Sequence, residues 1–466
     1  MLDTREDVLR LLGRLEFSSS RAAIKVGVSI LVAGAVALIP GYEALSTQGH
    51  WALFILILAA LLWTTEAMPA FAVSLLVMGL AIVLIGHPGR GADPKAWVMF
   101  VRPWSSPLLW LFLGGLVMAE AATRTGLDRW MAAGVLGRLG RRPAPLLAGV
   151  LAVTFILSMF MSNTATTAMM LAVMAPIIHS LPREEGFAHC LVLGIPVAAN
   201  LGGMGTLIGT PPNAIAASAL HATPIGFGQW MLAGVPPAIL LVLASWFFLR
   251  RRYPWGVTEV DISAIQEVPG GTHAPLWQKL VVMAVFTMTI CLWLTTSLHG
   301  IPSPVISFLP ITIFAVTGVI GADQIRRLQW DVLLLMAGGM SLGIAVSETG
   351  LAAWLVALLP TEQWGILPII IAFVVVAVVM SNFMSNTAAA NVLVPLAMAL
   401  NTGQDAATVV PIALGASAAM CLPISTPPNA LAYATRRVKG TDFVPIGIFV
   451  GLLAPIVTVV WTWFIL

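Results

Sequence analysis

Charge is the scarcest property of this 466-residue chain: only 9% of its residues are Asp, Glu, Lys or Arg, while 59% are hydrophobic. A chain with that composition and a mean hydropathy of +0.96 cannot cover a soluble globule with polar side chains. Short segments of alternating hydrophobicity, typical of a membrane β-barrel, are also missing. Many stretches instead reach the roughly 17 to 25 apolar residues that cross a bilayer core as a helix. The sequence therefore predicts an all-α polytopic membrane protein.

Cysteine is nearly absent as well. The three cysteines, Cys190, Cys291 and Cys421, lie in apolar segments without metal-ligand spacing, so we predict no disulfide, zinc site or other cofactor. The apolar segments contain no nucleophile with a matching base and no His-Glu-x-x-His motif, and the chain is not predicted to be an enzyme. The net charge of +3 does not indicate a nucleic acid partner, because the basic residues flank hydrophobic segments.

Hydropathy and flanking charge predict about eleven membrane crossings. They lie at residues 22–40, 50–66, 69–86, 107–123, 187–220, 229–249, 277–297, 304–321, 330–347, 407–435 and 443–466. Two further apolar stretches, 144–181 and 365–400, are too long for one helix and carry Ser-Asn-Thr at their middles. Each is predicted to be a re-entrant helical hairpin, whose tip is buried in protein or lines a cavity.

The distribution of basic residues supports this topology. With the N-terminus in the cytoplasm, all of the 23 Lys and Arg residues except Arg90, Lys95 and Arg102 fall on the cytoplasmic side. Residues 1–21 are predicted to form a retained cytoplasmic amphipathic helix, because they lack the pattern of a cleaved signal peptide. The C-terminus is expected on the outer side. The protein is predicted to lie in the cell inner membrane, with membrane lipid around its helices.

A duplicated motif organises the chain. Ser162-Asn163-Thr164 and Thr210-Pro211-Pro212-Asn213 in the first half match Ser385-Asn386-Thr387 and Thr426-Pro427-Pro428-Asn429 in the second. A further pair, Gly114-Gly115 and Gly338-Gly339, recurs with a shift of 224 residues. The hairpins open to opposite sides in the predicted topology, so we expect an inverted repeat, an arrangement found in secondary transporters.

This repeat predicts six regions. They are the N-terminal helix 1–21, scaffold helices 22–143, a first transport region 144–249, a cytoplasmic linker 250–276, scaffold helices 277–364 and a second transport region 365–466.

The motif chemistry favours an anion together with cations. Ser, Asn and Thr cap helix N-termini, and proline fits the first helical turn, so four half-helix N-termini could meet and attract an anion. The opposite ends of broken helices expose carbonyl oxygens, which suit sodium. Residues 143–178, 191–220, 365–404 and 406–435 contain no charged side chain or histidine. A bound dianion would need co-bound cations, whereas proton coupling lacks a titratable group near the tips. Glu66 and Glu120 remain alternatives as proton carriers, although helix-end or interhelical hydrogen bonds explain them equally well.

These motifs, with Leu422-Pro423-Ile424-Ser425 before the second Thr-Pro-Pro-Asn, resemble the signatures of the divalent anion/sodium symporter family. The resemblance covers nearly the whole chain and implies a homodimer of elevator type, in which a transport domain moves against a scaffold. It also implies that Asn163, Thr164, Asn386 and Thr387 contact substrate carboxylates. The Thr-Pro pairs Thr210-Pro211 and Thr426-Pro427 are included in the predicted substrate site.

The resemblance further implies two sodium sites. The first would use Ser158, Ser162, Asn163 and the Gly209 carbonyl, and the second Ser381, the Met384 carbonyl, Asn386 and the Ser425 carbonyl. This chain departs from the family pattern at Ser381, where threonine is frequent, and at Ser425, where alanine or glycine is frequent. Both changes keep a hydroxyl or a backbone oxygen available.

The sequence therefore predicts sodium-coupled symport of a C4-dicarboxylate of the succinate, malate or fumarate class. Two alternatives stay open: a sodium-independent dicarboxylate antiporter, and a symporter of another divalent anion such as sulfate or citrate. Neutral hydroxyls, amides and helix ends discriminate by shape, and sequence patterns do not give that shape.

Overall fold

The computed structural model describes residues 19–39, 45–87, 96–220, 223–262, 274–358, 365–400 and 402–466. Within these ranges the regular structure is α-helical, apart from two short 3-10 helices at 102–105 and 440–442, and contains no strand. The predicted all-helical class is confirmed. Most of the predicted N-terminal helix 1–21, the basic residues Arg90 and Lys95, and part of the linker 250–276 lie outside the described residues.

The helices of the first half follow the predicted spans. They are α1 (Ser19–Ala37), α2 (Thr47–Thr65), α3 (Ala70–Leu84), α4 (Val98–Val101), α5 (Pro107–Thr125), α6 (Leu127–Leu136), α7 (Pro143–Ser158), α8 (Asn163–Ser180), α9 (Gly186–Gly203), α10 (Pro211–Ala219) and α11 (Phe227–Arg252). Glu66 ends α2 in the left-handed conformation, with φ 49°, and its N–H caps the Leu62 carbonyl. That position agrees with the helix-end interpretation of Glu66.

The second half also contains long, paired and broken helices. Its elements are α12 (Leu276–Leu294), α13 (Thr296–His299), α14 (Ser303–Ile306), α15 (Phe308–Val316), α16 (Ala322–Arg327), α17 (Trp330–Glu348), α18 (Leu351–Ala357), α19 (Ile366–Ser381), α20 (Asn386–Met398), α21 (Asp405–Ser417), α22 (Pro427–Ala434) and α23 (Phe443–Ile465).

Seven helical segments in the described part of the chain are long and apolar enough to cross a membrane. They are Thr47–Thr65, Val98–Thr125, Gly186–Gly203, Phe227–Arg252, Leu276–Leu294, Trp330–Glu348 and Gly440–Ile465. The predicted multi-pass membrane protein is thereby confirmed. Several other apolar helices are shorter, because a non-helical turn interrupts the apolar stretch. The predicted number of eleven crossings stays a prediction.

Breaks occur at the positions of the repeated motifs. Helices α7 and α8 are separated at residues 159–162, and α19 and α20 at 382–385, so each predicted hairpin consists of two helices. The predicted spans 187–220 and 407–435 are each divided into two helices as well, and the second member begins at Pro211 or Pro427. Proline lacks an N–H and is accepted at the first helical position, so it favours a new helix start there.

One predicted span is wrong in detail. Residues 304–321 were expected to form one helix, but the structure interrupts the segment at Ser307 and ends α15 at Val316. Three prolines, Pro302, Pro304 and Pro310, lie in or just before the segment and remove hydrogen-bond donors. Ser307 is fully buried, and its hydroxyl donates to the Ser303 carbonyl.

Helices from the two halves pack against each other through small residues. Helix α3 lies against α17, where the Ser74 hydroxyl donates to the Leu335 carbonyl at 3.2 Å and a Cβ on Gly338 would lie 2.6 Å from the Ser74 carbonyl carbon. Helix α5 lies against α14 and α15, where a Cβ on Gly114 would lie 2.6 Å from Ser307 Cβ. Gly114 and Gly338, the first glycines of the two Gly-Gly copies, therefore make corresponding close contacts with a serine of the other half.

The first part of the predicted linker is docked on the helices. Helix α11 continues to Arg252, three residues beyond the predicted 249, and the following segment makes hydrogen bonds to three other connections. Tyr253 Oη donates to Asp442 Oδ1 at 3.3 Å, Gly256 N to Glu185 Oε1 at 2.9 Å, and Val260 N to the Arg141 carbonyl at 2.8 Å. Burial and the nearby Asp442 carboxylate raise the pKa of Tyr253 to about 12, so its hydroxyl stays a donor at neutral pH.

Candidate functional site

Serine caps both hairpin tips as the sequence predicts. Ser162 has extended backbone angles, and its hydroxyl accepts a hydrogen bond from Ala165 N at 3.2 Å. Ser385 has nearly the same angles and accepts from Ala388 N at 3.2 Å. Each serine satisfies one of the free N–H groups at the start of α8 or α20, and the Asn-Thr pair follows in the first turn.

The first tip lies against the break between α9 and α10. Ser158 Oγ lies 2.8 Å from both Asn163 Oδ1 and the Ala199 carbonyl, and these two acceptors share its single hydroxyl hydrogen. Asn163 in turn packs on Gly203, where an added Cβ would lie 2.7 Å from Asn163 Oδ1. A Cβ on Gly209 would lie 3.0 Å from the Gly203 carbonyl carbon. The structure therefore brings Ser158, Asn163 and Gly209 together around Gly203.

The second tip lies against the break between α21 and α22 through a residue that the sequence prediction missed. Asn382 Oδ1 accepts hydrogen bonds from Cys421 N at 2.7 Å and from Ser425 Oγ at 3.1 Å. Ser425 is thus held at the tip, and its carbonyl stays a predicted ligand of the second cation site. Ser381 Oγ and Asn386 Oδ1 are buried oxygens with no hydrogen-bond partner in the described part of the chain.

Two asparagines hold the breaks in shape. Asn213 Nδ2 donates to the Gly203 and Thr206 carbonyls at 2.8 and 2.7 Å. Asn429 Nδ2 donates to the Met420 and Leu422 carbonyls, both at 3.0 Å. Each side chain bridges carbonyls that helical hydrogen bonds would otherwise satisfy. Both asparagines belong to the Thr-Pro-Pro-Asn motif, so the duplication of that motif could have identified them. The predicted substrate site included only the Thr-Pro pairs of the motif.

We expect Asn429→Ala to destabilise the folded protein by about 2 to 4 kcal/mol. Two buried carbonyls lose their hydrogen-bond donor, each loss costs roughly 1 to 3 kcal/mol, and local relaxation recovers part of the total. Thermal unfolding in detergent measures the change. The matched control is Thr312→Ala on α15, whose exposed hydroxyl bonds only the Phe308 carbonyl one turn back. An unfolding midpoint equal to that of the control would contradict a bridging role for Asn429.

The two Thr-Pro-Pro-Asn copies are capped differently. Thr426 Oγ1 accepts hydrogen bonds from Asn429 N at 3.4 Å and from Asn200 Nδ2 at 3.1 Å, so the predicted cap is confirmed there. Thr210 makes no side-chain cap, and the expectation for it is wrong. Its carbonyl accepts from Asn213 N instead. The Asn200 bond links α9 of the first half to α22 of the second.

The remaining predicted substrate residues lie on helices that pack across the two halves. Helix α22 contacts α8 and α9, and α10 contacts α20 and α21. Thr164 is half-buried and Thr387 buried. Pro211 is half-buried and Pro427 exposed. Met384 is buried, with 5% of its surface exposed, in the turn between Asn382 and Ser385.

Electrostatically, the arrangement is a set of uncharged polar groups inside an apolar body. Ser158 and Ser381 are fully buried, and the tip and break segments contain no Asp, Glu, Lys, Arg or His. Such a site can orient N–H groups, hydroxyls and amides toward an anion and carbonyl oxygens toward a cation. These segments supply no carboxylate, imidazole or amine to act as a general base.

Comparison with known proteins agrees with these features. The family profile described as CitMHS, citrate transporter, matches residues 60–414. The sodium-dependent dicarboxylate transporter SdcS of Staphylococcus saprophyticus is 29% identical over 461 residues, covering 91% of this chain and 87% of the relative. The inorganic phosphate transporter PHO87 of Saccharomyces cerevisiae is 28% identical over 451 residues, covering 93% of this chain but 48% of the yeast protein.

A solved structure is similar in fold. The Alcanivorax borkumensis YdaH transporter, described as having an unusual topology, superposes with a TM-score of 0.50 at 14% identity, covering 85% of this chain and 98% of that chain. The family profile spans most of the chain, including both hairpins and the first Thr-Pro-Pro-Asn motif. The chain therefore belongs to the CitMHS citrate transporter family, and it is a membrane transporter rather than an enzyme.

Proposed function

We propose that the protein is a sodium-coupled symporter of C4-dicarboxylates such as succinate, malate or fumarate. The observation that carries the proposal is the pair of uncharged, capped tips, each packed on a helix break. A dianion bound there needs positive charge to balance it. The side chains of these segments carry none, and each helix N-terminus supplies only about half an elementary charge. The names of the SdcS relatives support both the cation and the anion class.

The anion would be held between the two tips. Asn163 and Thr164 would bind one carboxylate, and Asn386 and Thr387 the other. The position of each threonine supports this role, since it directly follows the asparagine in the first turn after a capped tip. Thr210, Pro211, Thr426 and Pro427 would place the N-termini of α10 and α22 toward the same anion.

Sodium fits the oxygens next to these tips. Hard cations prefer hydroxyl, amide and carbonyl oxygens, which are the polar groups that both copies offer. One ion would use Ser158, Ser162, Asn163 and the Gly209 carbonyl, and the other Ser381, Asn386 and the carbonyls of Met384 and Ser425. The unpartnered buried oxygens of Ser381 and Asn386 support the second site, because a cation would satisfy both.

The transport cycle is proposed to be of elevator type in a homodimer within the inner membrane. The regions 144–249 and 365–466 would form the moving body, and the regions 22–143 and 277–364 would form the scaffold. The linker 250–276 would join the two halves of the chain on the cytoplasmic side, where the N-terminus would also lie. The C-terminus would lie outside. The corresponding contacts of Gly114 and Gly338 with Ser307 and Ser74 support an inverted repeat.

Uptake of labelled succinate into proteoliposomes tests the proposal. We expect rapid uptake under an inward sodium gradient and little uptake when choline replaces sodium. Equal uptake in both buffers would exclude sodium coupling, and counterflow that depends only on preloaded anion would favour the antiporter. Citrate, sulfate and inorganic phosphate serve as competitors, because two relatives and the family description name citrate, dicarboxylate and phosphate. No uptake of labelled succinate or of any other labelled dicarboxylate would overturn the substrate class.

A further inference from the structure

We infer that the two cation sites fill in a fixed order, with the second tip, at Ser381 and Asn386, taking its ion first. This inference rests on the proposed sodium coupling and concerns the difference between the two copies. The motifs are almost identical in sequence, but the hydrogen bonding of their corresponding atoms is not. Ser158 and Ser381, like Asn163 and Asn386, are separated by 223 residues and occupy equivalent positions.

At the first tip the relevant oxygens are already satisfied. Asn163 Oδ1 accepts from Ser158 Oγ, and the same hydroxyl reaches the Ala199 carbonyl, at 2.8 Å in each case. A cation that binds Asn163 Oδ1 must compete with that hydrogen bond. The favourable binding free energy of the cation is reduced by the cost of rearranging the Ser158 hydroxyl, which is fully buried.

At the second tip the equivalent oxygens are unsatisfied. Ser381 is fully buried, and neither Ser381 Oγ nor Asn386 Oδ1 has a hydrogen-bond partner in the described chain. Burial without a partner raises the free energy of both groups, and a bound cation relieves that penalty directly. No existing bond has to open first, so the cation gains more at this tip than at the first.

The second site is also held together by a side chain that the first copy lacks. Asn382 lies where the first copy has Met159, and its Oδ1 binds both Cys421 N and Ser425 Oγ. The corresponding link in the first copy runs from the Thr206 hydroxyl to the Met159 backbone carbonyl. The amide of Asn382 therefore fixes the second break against its tip before an ion arrives, and preorganisation of this kind raises affinity.

A matched pair of variants, Ser158→Ala and Ser381→Ala, tests the order. The readout is the thermal unfolding of purified protein in detergent, titrated from choline chloride to sodium chloride at constant ionic strength. Wild type is expected to be stabilised in two phases. Ser381→Ala should raise the unfolding midpoint in choline, since an unpartnered hydroxyl is removed, and weaken the low-sodium phase by about tenfold, typical for loss of one ligand worth roughly 1.4 kcal/mol.

Ser158→Ala should do the opposite. It should lower the midpoint in choline, because the buried acceptors Asn163 Oδ1 and the Ala199 carbonyl lose their shared donor, while the low-sodium phase keeps its wild-type concentration within about twofold. The conservative Ser381→Thr restores the hydroxyl and should restore the low-sodium phase. If an alanine variant does not fold, Ser158→Cys and Ser381→Cys give the same comparison through the sodium concentration that half-saturates succinate uptake.

The outcomes separate this inference from the proposed function. Equal weakening in both variants, or weakening of the low-sodium phase only in Ser158→Ala, would overturn the order of filling while leaving sodium coupling intact. Wild type that shows no stabilisation by sodium, together with sodium-independent uptake, would refute the proposed function itself.

Discussion

Asn386→Ala is expected to reduce sodium-driven succinate uptake to background while the protein remains folded in the membrane. Asn386 Oδ1 has no hydrogen-bond partner within the described ranges, so its removal breaks no internal bond. In the proposed site the same amide serves the anion and the second cation, and its loss acts on both. Loss of two charge-assisted interactions, each worth about 1.5 to 3 kcal/mol, lowers the combined affinity by a factor on the order of hundreds or more.

The partner variant Asn163→Ala should also abolish uptake, but with a different stability. Asn163 Oδ1 accepts a hydrogen bond from the buried Ser158 hydroxyl. In Asn163→Ala this acceptor is gone, and the Ala199 carbonyl is the one acceptor left for that hydroxyl among these contacts. We therefore expect a lower thermal midpoint for Asn163→Ala than for Asn386→Ala in sodium-free buffer.

Initial uptake rates, normalised to the amount of reconstituted protein, measure the first effect, and thermal unfolding measures the second. The control is again Thr312→Ala, whose hydroxyl lies on an exposed face of α15 and should transport as wild type. Retention of full uptake in either asparagine variant would remove that residue from the substrate and cation sites.

Local chemistry explains the part of the site that the sequence predicts. The Ser162 and Ser385 caps and the helix starts at Pro211 and Pro427 depend on residues within four positions of each other. The same short-range rules fail for Thr210, whose motif equals that of Thr426. Thr426 gains a second partner, Asn200, from 226 positions away, and no local pattern contains that contact.

Contacts between distant segments account for what the sequence did not predict. Asn382 was missed because its role depends on Cys421 and Ser425, about 40 residues further on, and its counterpart is Met159, which hides the correspondence. The close approach of Ser74 to Gly338 joins segments more than 260 residues apart. Hydropathy locates these helices, but it contains no information on which helix lies beside which.

Gly447→Ala and Gly234→Ala are expected to impair both stability and transport, because each glycine lets a long helix touch a break. On α11, a Cβ at Gly234 would overlap the Met204 carbonyl oxygen, to which Trp230 Nε1 also donates at 3.2 Å. On α23, a Cβ at Gly447 would lie 2.6 Å from Cys421 N. The neighbours are backbone atoms of the two breaks and cannot turn away as a flexible side chain could.

Overpacking of this kind costs about 1 to 3 kcal/mol in folding free energy. The displacement would fall next to the carbonyls that Asn213 and Asn429 bridge, in the breaks that contribute to the proposed cation sites. Sodium affinity should therefore fall together with stability, and a loss of about 1.4 kcal/mol in binding corresponds to a tenfold higher half-saturating sodium concentration for uptake.

Gly228→Ala is the matched control for this pair, because Gly228 lies on α11 near Gly234 but an added Cβ would meet only the Leu294 carbonyl oxygen at an ordinary 3.7 Å. The control should match wild type in thermal midpoint and sodium dependence. If Gly234→Ala lowers the midpoint but leaves the sodium dependence unchanged, the break shifts without moving the cation ligands, and the proposed first site does not include the Gly209 segment. A coupled change in both measurements ties the break geometry to cation binding. That coupling is expected, since the Met204 carbonyl lies directly after Gly203, on which Asn163 packs.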